Sequence, residues 1–211
     1  MLNLSDDFSF KNKNLYQPNP IPMDKRSPLE ARTVRFSRIT MTELMIPSYA
    51  NFGGKIHGGI LLSLMDKVAY ATASKHSGAY CVTVSVDTVD FLQAVEVGEL
   101  VSLKASVNYV GNSSMVIGIK VISENVKTGK ITHTNTCYFT MVAKGDNDRP
   151  TSVPPLILET PRDVRRFVEA IHRKNFKNDY QANLKKMKSK WEEEDINVLL
   201  KKHRCIVRLN P

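Results

Sequence analysis

The stretch NFGGKIHGGILLSLMD, residues 51–66, decides how the rest of the chain can be arranged. Two glycine pairs flank the Lys-Ile-His at 55–57, and from Gly58 onward apolar residues recur at steps of three and four. This spacing predicts an amphipathic helix that runs to about Lys75 and ends near Gly78. Its apolar stripe consists of Ile60, Leu61, Leu64, Met65, Val68 and Thr72. Asn51 and Asp66 bracket the stretch, so the loop and the helix each carry a candidate functional side chain.

Strand patterns surround this helix. Four segments rich in Val, Ile, Thr and aromatic residues follow it, at 80–91, 100–110, 114–125 and 131–143. An earlier strand is predicted within 31–46, where Val34, Phe36, Ile39 and Met41 alternate with other residues. Short polar turns separate the last three strands, which suits antiparallel hairpins. The order of one strand, one long helix and four strands predicts an α+β fold in which helix and sheet cover each other's apolar faces.

The composition is typical of a folded soluble protein, with 42% hydrophobic and 24% charged residues among 211. No apolar run approaches the ~20 residues of a membrane helix. The first residues, which include Asp6 and Asp7, do not resemble a targeting peptide. Cys81, Cys137 and Cys205 are too far apart to indicate a disulfide framework or a zinc site. We therefore expect a cytoplasmic protein in which the two strand cysteines are buried thiols and not nucleophiles.

The chain is predicted to divide into an irregular arm at 1–30, a folded domain at 31–159 and a basic helical extension at 160–211. Residues 161–211 hold 14 Lys and Arg against 7 Asp and Glu, whereas the rest of the chain is nearly balanced. A helix is predicted from Pro161, with Thr160 as its N-cap. Apolar stripes are expected at Val164, Phe167, Val168 and Ile171, and at Tyr180, Leu184, Met187 and Trp191. Because such stripes need a surface to cover, we expect the extension to dock with its cations facing solvent.

Four segments, taken together and in order, resemble the acyl-CoA thioesterases of the hotdog fold, the class that contains the bacterial and brain-type long-chain acyl-CoA hydrolases. They are NFGGKIHGGILLSLMD, VTVSVDTVDFLQAVEVGE, YVGNSSMVIGIKVISEN and FTMVAKG, which span about residues 35–155. The resemblance implies a curled antiparallel sheet wrapped around one long helix. The arm and the extension carry no part of it.

The resemblance implies roles for the two bracketing side chains. Asp66 matches the aspartate that acts in the family as general base or nucleophile. Asn51 matches the asparagine that orients the water or polarises the thioester. The family places these groups across a subunit interface, so Asn51 of one chain would face Asp66 of its partner. Without the resemblance, Asp66 is also explained as a polar residue on the solvent face and Asn51 as a turn residue.

Thioester hydrolysis also needs donors for the oxyanion, and the first N–H groups of a helix supply them. Gly58 and Gly59 stand where the helix begins; the sequence alone explains them equally well by close packing of helix and sheet, and the resemblance implies the oxyanion role. We expect His57 to shape the loop beside them rather than to act as a catalyst. By resemblance the CoA passage is lined by the loop at 111–114 and the neighbouring strand edges. Thr83, on the strand that faces the helix, is a candidate neighbour of the active site. The predicted CoA-binding residues are Thr83, Gly111, Asn112, Ser113, Ser114 and Lys144, with Arg149 and Lys55 as alternative partners of the phosphates.

The sequence therefore predicts a hotdog-fold acyl-CoA thioesterase that needs neither metal nor cofactor, since CoA is part of the substrate. The minimal unit is expected to be a homodimer with active sites at the interface, and the resemblance allows a trimer of dimers. No membrane partner is expected. Two alternatives are another hotdog enzyme, such as an acyl-CoA hydratase or dehydratase, and a non-catalytic acyl-CoA sensor whose basic tail binds nucleic acid. Asn51 together with Asp66 favours hydrolysis, and the tail shows no helix-turn-helix pattern.

Overall fold

A five-stranded antiparallel sheet curls around one long helix. The computed structural model describes residues 29–188 and 193–208, so most of the predicted N-terminal arm and Trp191 lie outside the described residues. In chain order the elements are β1 (Arg32–Thr33), α1 (Val34–Ser37), β2 (Ile39–Leu44), α2 (Gly58–Ser77), β3 (Tyr80–Val86), β4 (Leu100–Val110), β5 (Ser114–Asn125), β6 (Lys130–Lys144), β7 (Leu156–Ile157), α3 (Pro161–Lys188) and α4 (Glu193–Lys201). A short 3₁₀ turn at Pro47–Tyr49 precedes α2.

The sheet has the strand order β2-β4-β5-β6-β3, and every neighbouring pair is antiparallel. Helix α2 contacts all five strands and buries Leu61, Leu64, Met65 and Val68 against the concave face. Gly78 ends the helix in the left-handed conformation, at φ 72°, as a C-terminal glycine often does. The predicted α+β hotdog architecture, including the position of the central helix, is confirmed.

The segment 31–46 corrects the strand prediction. Val34 and Phe36 do not lie on a strand but in α1, a single helical turn between β1 and β2. Thr33 Oγ1 accepts the Phe36 N–H, and Ser37 Oγ donates to Val34 O while it accepts the Val107 N–H. These side-chain bonds satisfy the backbone of a turn that the alternating pattern does not reveal. The later strands lie where they were predicted, except that β3 ends at Val86 instead of Phe91.

Helix α3 packs on the convex face of the sheet. Thr160 is its N-cap, as predicted: Thr160 Oγ1 accepts the Asp163 N–H, and Asp163 Oδ2 accepts from the Thr160 N–H and hydroxyl. Ala170 is buried, and the ring of Phe167 lies 5.0 Å from that of Tyr109 in β4. No helix among the described residues is long and apolar enough to cross a membrane.

The apolar stripes predicted for the extension do not form its packed face. Only Phe167 of the first stripe faces the sheet, because α3 docks through the side that also carries Asp163 and Ala170. The other members of both stripes that the structure describes are exposed: Val164, Val168, Ile171, Tyr180, Leu184 and Met187. The docked face includes the basic residues Arg173 and Lys174, which pack on the rings of Tyr138 and Tyr109. A pattern of apolar residues alone does not predict such a face.

Candidate active site

Asp66 and Thr83 form the centre of the candidate site. Asp66 lies on the exposed side of α2, two turns after the helix begins, and Thr83 lies on the edge strand β3. The Thr83 hydroxyl donates to Asp66 Oδ1 over 2.6 Å, and it also lies 3.2 Å from Met141 Sδ. Short bonds of this kind are typical when the acceptor is an ionised carboxylate. One carboxylate oxygen is therefore oriented by the strand, and the other is available to a ligand or a water molecule.

A cavity of about 370 Å³ opens beside this pair, between α2 and β3. Tyr70 lies four residues after Asp66 on the same helix face, and Tyr80 begins β3; their ring centroids are 6.1 Å apart. Sequence reasoning gave neither tyrosine a role in the site, although the four-residue step from Asp66 to Tyr70 was a usable signal. The cavity therefore joins a carboxylate to an aromatic and aliphatic wall, which suits an acyl ligand with a polar reacting group.

Asn51 lies in the loop before α2, where its side chain has a structural task. Its Oδ1 accepts the N–H groups of Gly53 and Lys55, at 2.9 and 3.2 Å, and its backbone N–H donates to Lys55 O. The Asn51 Nδ2 amide has no acceptor within residues 29–188 and 193–208. The turn role weighed for Asn51 is thus present, and it leaves the two amide hydrogens available to a ligand.

The start of α2 holds the predicted oxyanion donors. His57 is the N-cap, and its Nδ1 accepts the Gly59 N–H over 2.9 Å. That amide is therefore occupied, while the Gly58 N–H has no acceptor in the described part of the chain. His57 is bound to its own loop, as the sequence led us to expect. Asn51 and Gly58 thus provide two available donors, whereas Asp66 stands eight residues beyond Gly58, about 12 Å along the helix axis.

The predicted CoA-binding loop closes the β4–β5 hairpin. The Gly111 N–H donates to Ser114 O, and the carbonyls of Asn112 and Ser113 accept from Val153 and Ala143. The Asn112 side chain also accepts from Ser152, at 3.4 Å. Lys144 is engaged by Asp148, and Lys55 forms an ion pair with Glu96. Ser114 lines a cavity beneath α3, and a CoA-binding role for the loop remains a prediction.

The two strand cysteines are buried, as expected. Burial raises the pKa of the Cys137 thiol to about 12, so this thiol stays protonated and packs against Met65 Sδ. Cys81 adjoins the cavity but is itself buried. Within the described residues no group of three or more His, Cys, Asp and Glu side chains has the arrangement of a metal site.

The profile of the thioesterase superfamily matches residues 53–130, which include α2 and strands β3, β4 and β5. The chain is 46% identical to Protein VdlD of Helicobacter pylori over 141 residues, which cover 67% of this chain and 80% of that protein. The chain belongs to the thioesterase superfamily. It is also 34% identical, over 69% of its length and 85% of the relative's, to a Bacillus subtilis protein named as an uncharacterised acyl-CoA thioester hydrolase, YkhA.

Solved structures of an acyl-CoA thioesterase and an acyl-CoA hydrolase have the same fold as this chain. A hexameric acyl-CoA thioesterase superposes with a TM-score of 0.71 at 34% identity, over 73% of this chain and 99% of that one. An acyl-CoA hydrolase of Staphylococcus aureus, crystallised with butyryl-CoA and CoA, gives a TM-score of 0.68 at 28% identity, over 75% and 97% of the two chains. Three further structures of the S. aureus enzyme each carry one substitution to alanine. The replaced residue is an asparagine in the first, an aspartate in the second and a threonine in the third. The spacings of those positions, 15 and 17 residues, equal those between Asn51, Asp66 and Thr83.

Proposed function

We propose that this protein hydrolyses the thioester of acyl-CoA to a free fatty acid and CoA, with Asp66 as its central catalytic residue. The observation that carries the proposal is the 2.6 Å hydrogen bond from Thr83 to Asp66 at the mouth of an open cavity. Membership of the thioesterase superfamily supports it, as does the matching spacing of Asn51, Asp66 and Thr83 with the residues replaced in the S. aureus hydrolase.

The chemistry follows from a carboxylate and two available donors. Asp66 acts as general base and takes a proton from a water molecule that attacks the carbonyl carbon. The carbonyl oxygen becomes an oxyanion, which accepts from the Gly58 N–H and Asn51 Nδ2. When the tetrahedral species collapses, the carbon–sulfur bond breaks and the proton held by Asp66 passes to the leaving sulfur. Water and thioester thus give a carboxylic acid and the CoA thiol, and this route uses no group beyond the side chains and amides named.

The site is proposed to be completed by a second copy of the chain. Gly58 begins α2, about 12 Å along the helix axis from Asp66 of the same chain, and Asn51 lies in the loop that precedes the helix. Strand β3 is an edge of the sheet, and the exposed side of α2 beside it carries Leu62 and Tyr70. Phe52, next to Asn51, is fully exposed. These surfaces suit a homodimer in which Asn51 and Gly58 of one subunit face Asp66 and Thr83 of the other, with a trimer of dimers as the larger assembly.

The activity is tested with a series of acyl-CoAs from C2 to long chain, by measuring release of free thiol. Thiol release is expected from at least one member, and Asp66→Asn should reduce turnover by roughly 10² or more while the melting temperature is retained. Consumption of an enoyl-CoA without thiol release would instead indicate a hydratase. An acyl group attached to Asp66, detected by intact mass after rapid acid quenching, would make Asp66 a nucleophile and not a base.

A further inference from the structure

A second cavity, of about 300 Å³, lies between α3 and the convex face of the sheet. We call it the α3 groove and define it by Ser85, Ser114 and Thr140 of the sheet and Arg173, Lys174 and Lys177 of the helix. Asp87 is the only acidic residue in its lining, so three cations face one carboxylate and the lining carries an excess of two positive charges. The three hydroxyls can donate to the same ligand. The chemistry of this groove selects for an anion.

Arg173 is the most informative residue of the groove. Its guanidinium carbon lies 3.5 Å from the ring centroid of Tyr138 in β6, which holds the side chain against the sheet. The Arg173 Nε and Nη2 atoms are buried and have no acceptor among the described residues. Buried donors without an acceptor are costly, because they lose their bonds to water and gain none in return. Arg173 also lines the groove, and guanidinium groups bind phosphate oxygens in a bidentate manner.

The two lysines complete the cationic wall within the next turn of the helix. The Lys174 Nζ lies 5.5 Å from the ring centroid of Tyr109. Lys177 donates to Ser85 Oγ and lies 3.3 Å from Asp87 Oδ1, so its ammonium group is held at the sheet end of the groove. Lys177 follows Arg173 by four residues and Lys174 by three, so it neighbours both on the helix surface, and all three line the groove.

We propose that the α3 groove binds the phosphate groups of a phosphorylated ligand. The groove begins immediately after the candidate catalytic site: Thr83 binds Asp66, while Val84 and Ser85, the next two residues of β3, line the groove. A bulge in the β3–β6 ladder between Thr83 and Ser85 divides these two roles. One source of such a ligand is the nucleotide end of the acyl-CoA substrate, and this assignment rests on the proposed function. The other source is a free phosphate compound.

Isothermal titration calorimetry on the full chain tests the groove without any turnover. The probes are adenosine 3′,5′-bisphosphate and pyrophosphate, and the variant is Lys174→Ala/Lys177→Ala. Loss of two charged donors should weaken binding by about tenfold or more. Lys185→Ala, an exposed lysine further along α3, is the matched control and should bind as the parent does. Thermal melting checks that the double variant is folded.

The kinetic arm identifies the source of the phosphate. If it is the substrate, the double variant should show a KM for acyl-CoA raised by about tenfold, with an unchanged KM for the matching acyl-pantetheine, which has no nucleotide. If binding of the probes weakens while both KM values are unchanged, the ligand is a free phosphate compound. Failure of the parent protein to bind either probe, or equal binding by the folded double variant, overturns the proposal. If the protein hydrolyses no thioester, the proposed function is refuted. The calorimetry still tests whether the α3 groove binds phosphate, because it does not depend on turnover.

Discussion

The carboxylate of Asp66 receives its only direct side-chain bond in the described chain from Thr83. We therefore expect Thr83→Val, which keeps the shape but removes the hydroxyl, to lower kcat for acyl-CoA by about tenfold or more, as for loss of a hydrogen bond to a charged group. Thr83→Ser retains the donor and should keep most of the activity. Steady-state thiol release is measured for the parent protein and both variants. Equal rates for the parent and Thr83→Val would show that the contact is not used in turnover.

Asn51 has two separable roles, in its loop and toward a ligand. Asn51→Asp keeps an oxygen that accepts from Gly53 and Lys55 but has no amide donor, whereas Asn51→Ala removes both. If the amide stabilises the oxyanion, both variants should lose about 10²-fold in kcat. Asn51→Asp should retain the melting temperature of the parent better than Asn51→Ala does. Substantial turnover by Asn51→Asp would restrict Asn51 to the loop role.

His76 predicts a dependence of stability on pH. It is buried, its Nε2 bonds Pro154 O, and burial lowers its pKa, with the nearby Arg32 guanidinium acting in the same direction. Below about pH 6.5 His76 of the unfolded chain binds a proton, whereas His76 of the folded protein binds one only at lower pH. The contribution of neutral His76 to the free energy of unfolding is therefore complete above this pH and decreases as the pH falls toward the folded pKa. The slope from this residue is at most about 1.4 kcal/mol per pH unit.

Thermal melting between about pH 8 and pH 5 measures this effect. His76→Gln, which can still donate to Pro154 O but does not titrate, should show a flatter profile between about pH 6.5 and pH 5. An unchanged slope in the variant would assign the loss of stability to other groups.

These residues show how far sequence reasoning reaches. The helical period alone places Asp66 on the open face of α2, since the period fixes which residues share a side. Thr83 could be predicted only as a neighbour of the site, because its contact with Asp66 depends on how β3 lies over the helix, seventeen residues away. The use of the Gly59 N–H by His57 depends on one ring orientation, which no spacing encodes.

At the scale of elements, α3 is attached to the domain through its first turn. Asp163 is buried; its Oδ2 accepts from Thr160, and its Oδ1 lies 3.5 Å from Arg38 Nη2 near the start of β2. Asp163→Ala leaves the Thr160 donors without their partner and should cost about 1–3 kcal/mol in the free energy of unfolding. Chemical denaturation measures this cost. Breaking the exposed Arg165–Glu169 pair one turn later with Glu169→Gln should cost much less, in keeping with a solvated ion pair.

The helices and the strands differed in how well they could be anticipated. The long period of α2 and the turn residues between β4, β5 and β6 are strong local signals, and the structure agrees with them. Helix α1 is only four residues long and is stabilised by a bond to Val107, seventy residues from Ser37. The packed face of α3 could not be predicted either, since it relies on Arg173 over Tyr138 and Phe167 on Tyr109, and such contacts require the finished sheet.

At the scale of the whole molecule, the proposed site requires two copies of the chain. Asn51→Ala and Asp66→Ala homodimers should both be nearly inactive. When the two variants are unfolded together and refolded, half of the dimers should be mixed, and each mixed dimer should hold one intact site, giving about a quarter of the parent activity. The control is the same treatment of each variant alone. Absence of recovery in mixed dimers confirmed by native mass spectrometry would place both groups of the site within one chain.

The open edge of β3 also has a consequence for how the protein is made. The backbone N–H and C=O groups of Tyr80–Val86 that point away from β6 have no strand partner in the described chain, and Tyr80, Val84 and Val86 are exposed beside them. A newly synthesised subunit therefore leaves the ribosome with a ready template for strand addition, before a second copy is within reach. Correct pairing competes with misassembly at this stage, so slow synthesis and low temperature should raise the yield of soluble protein.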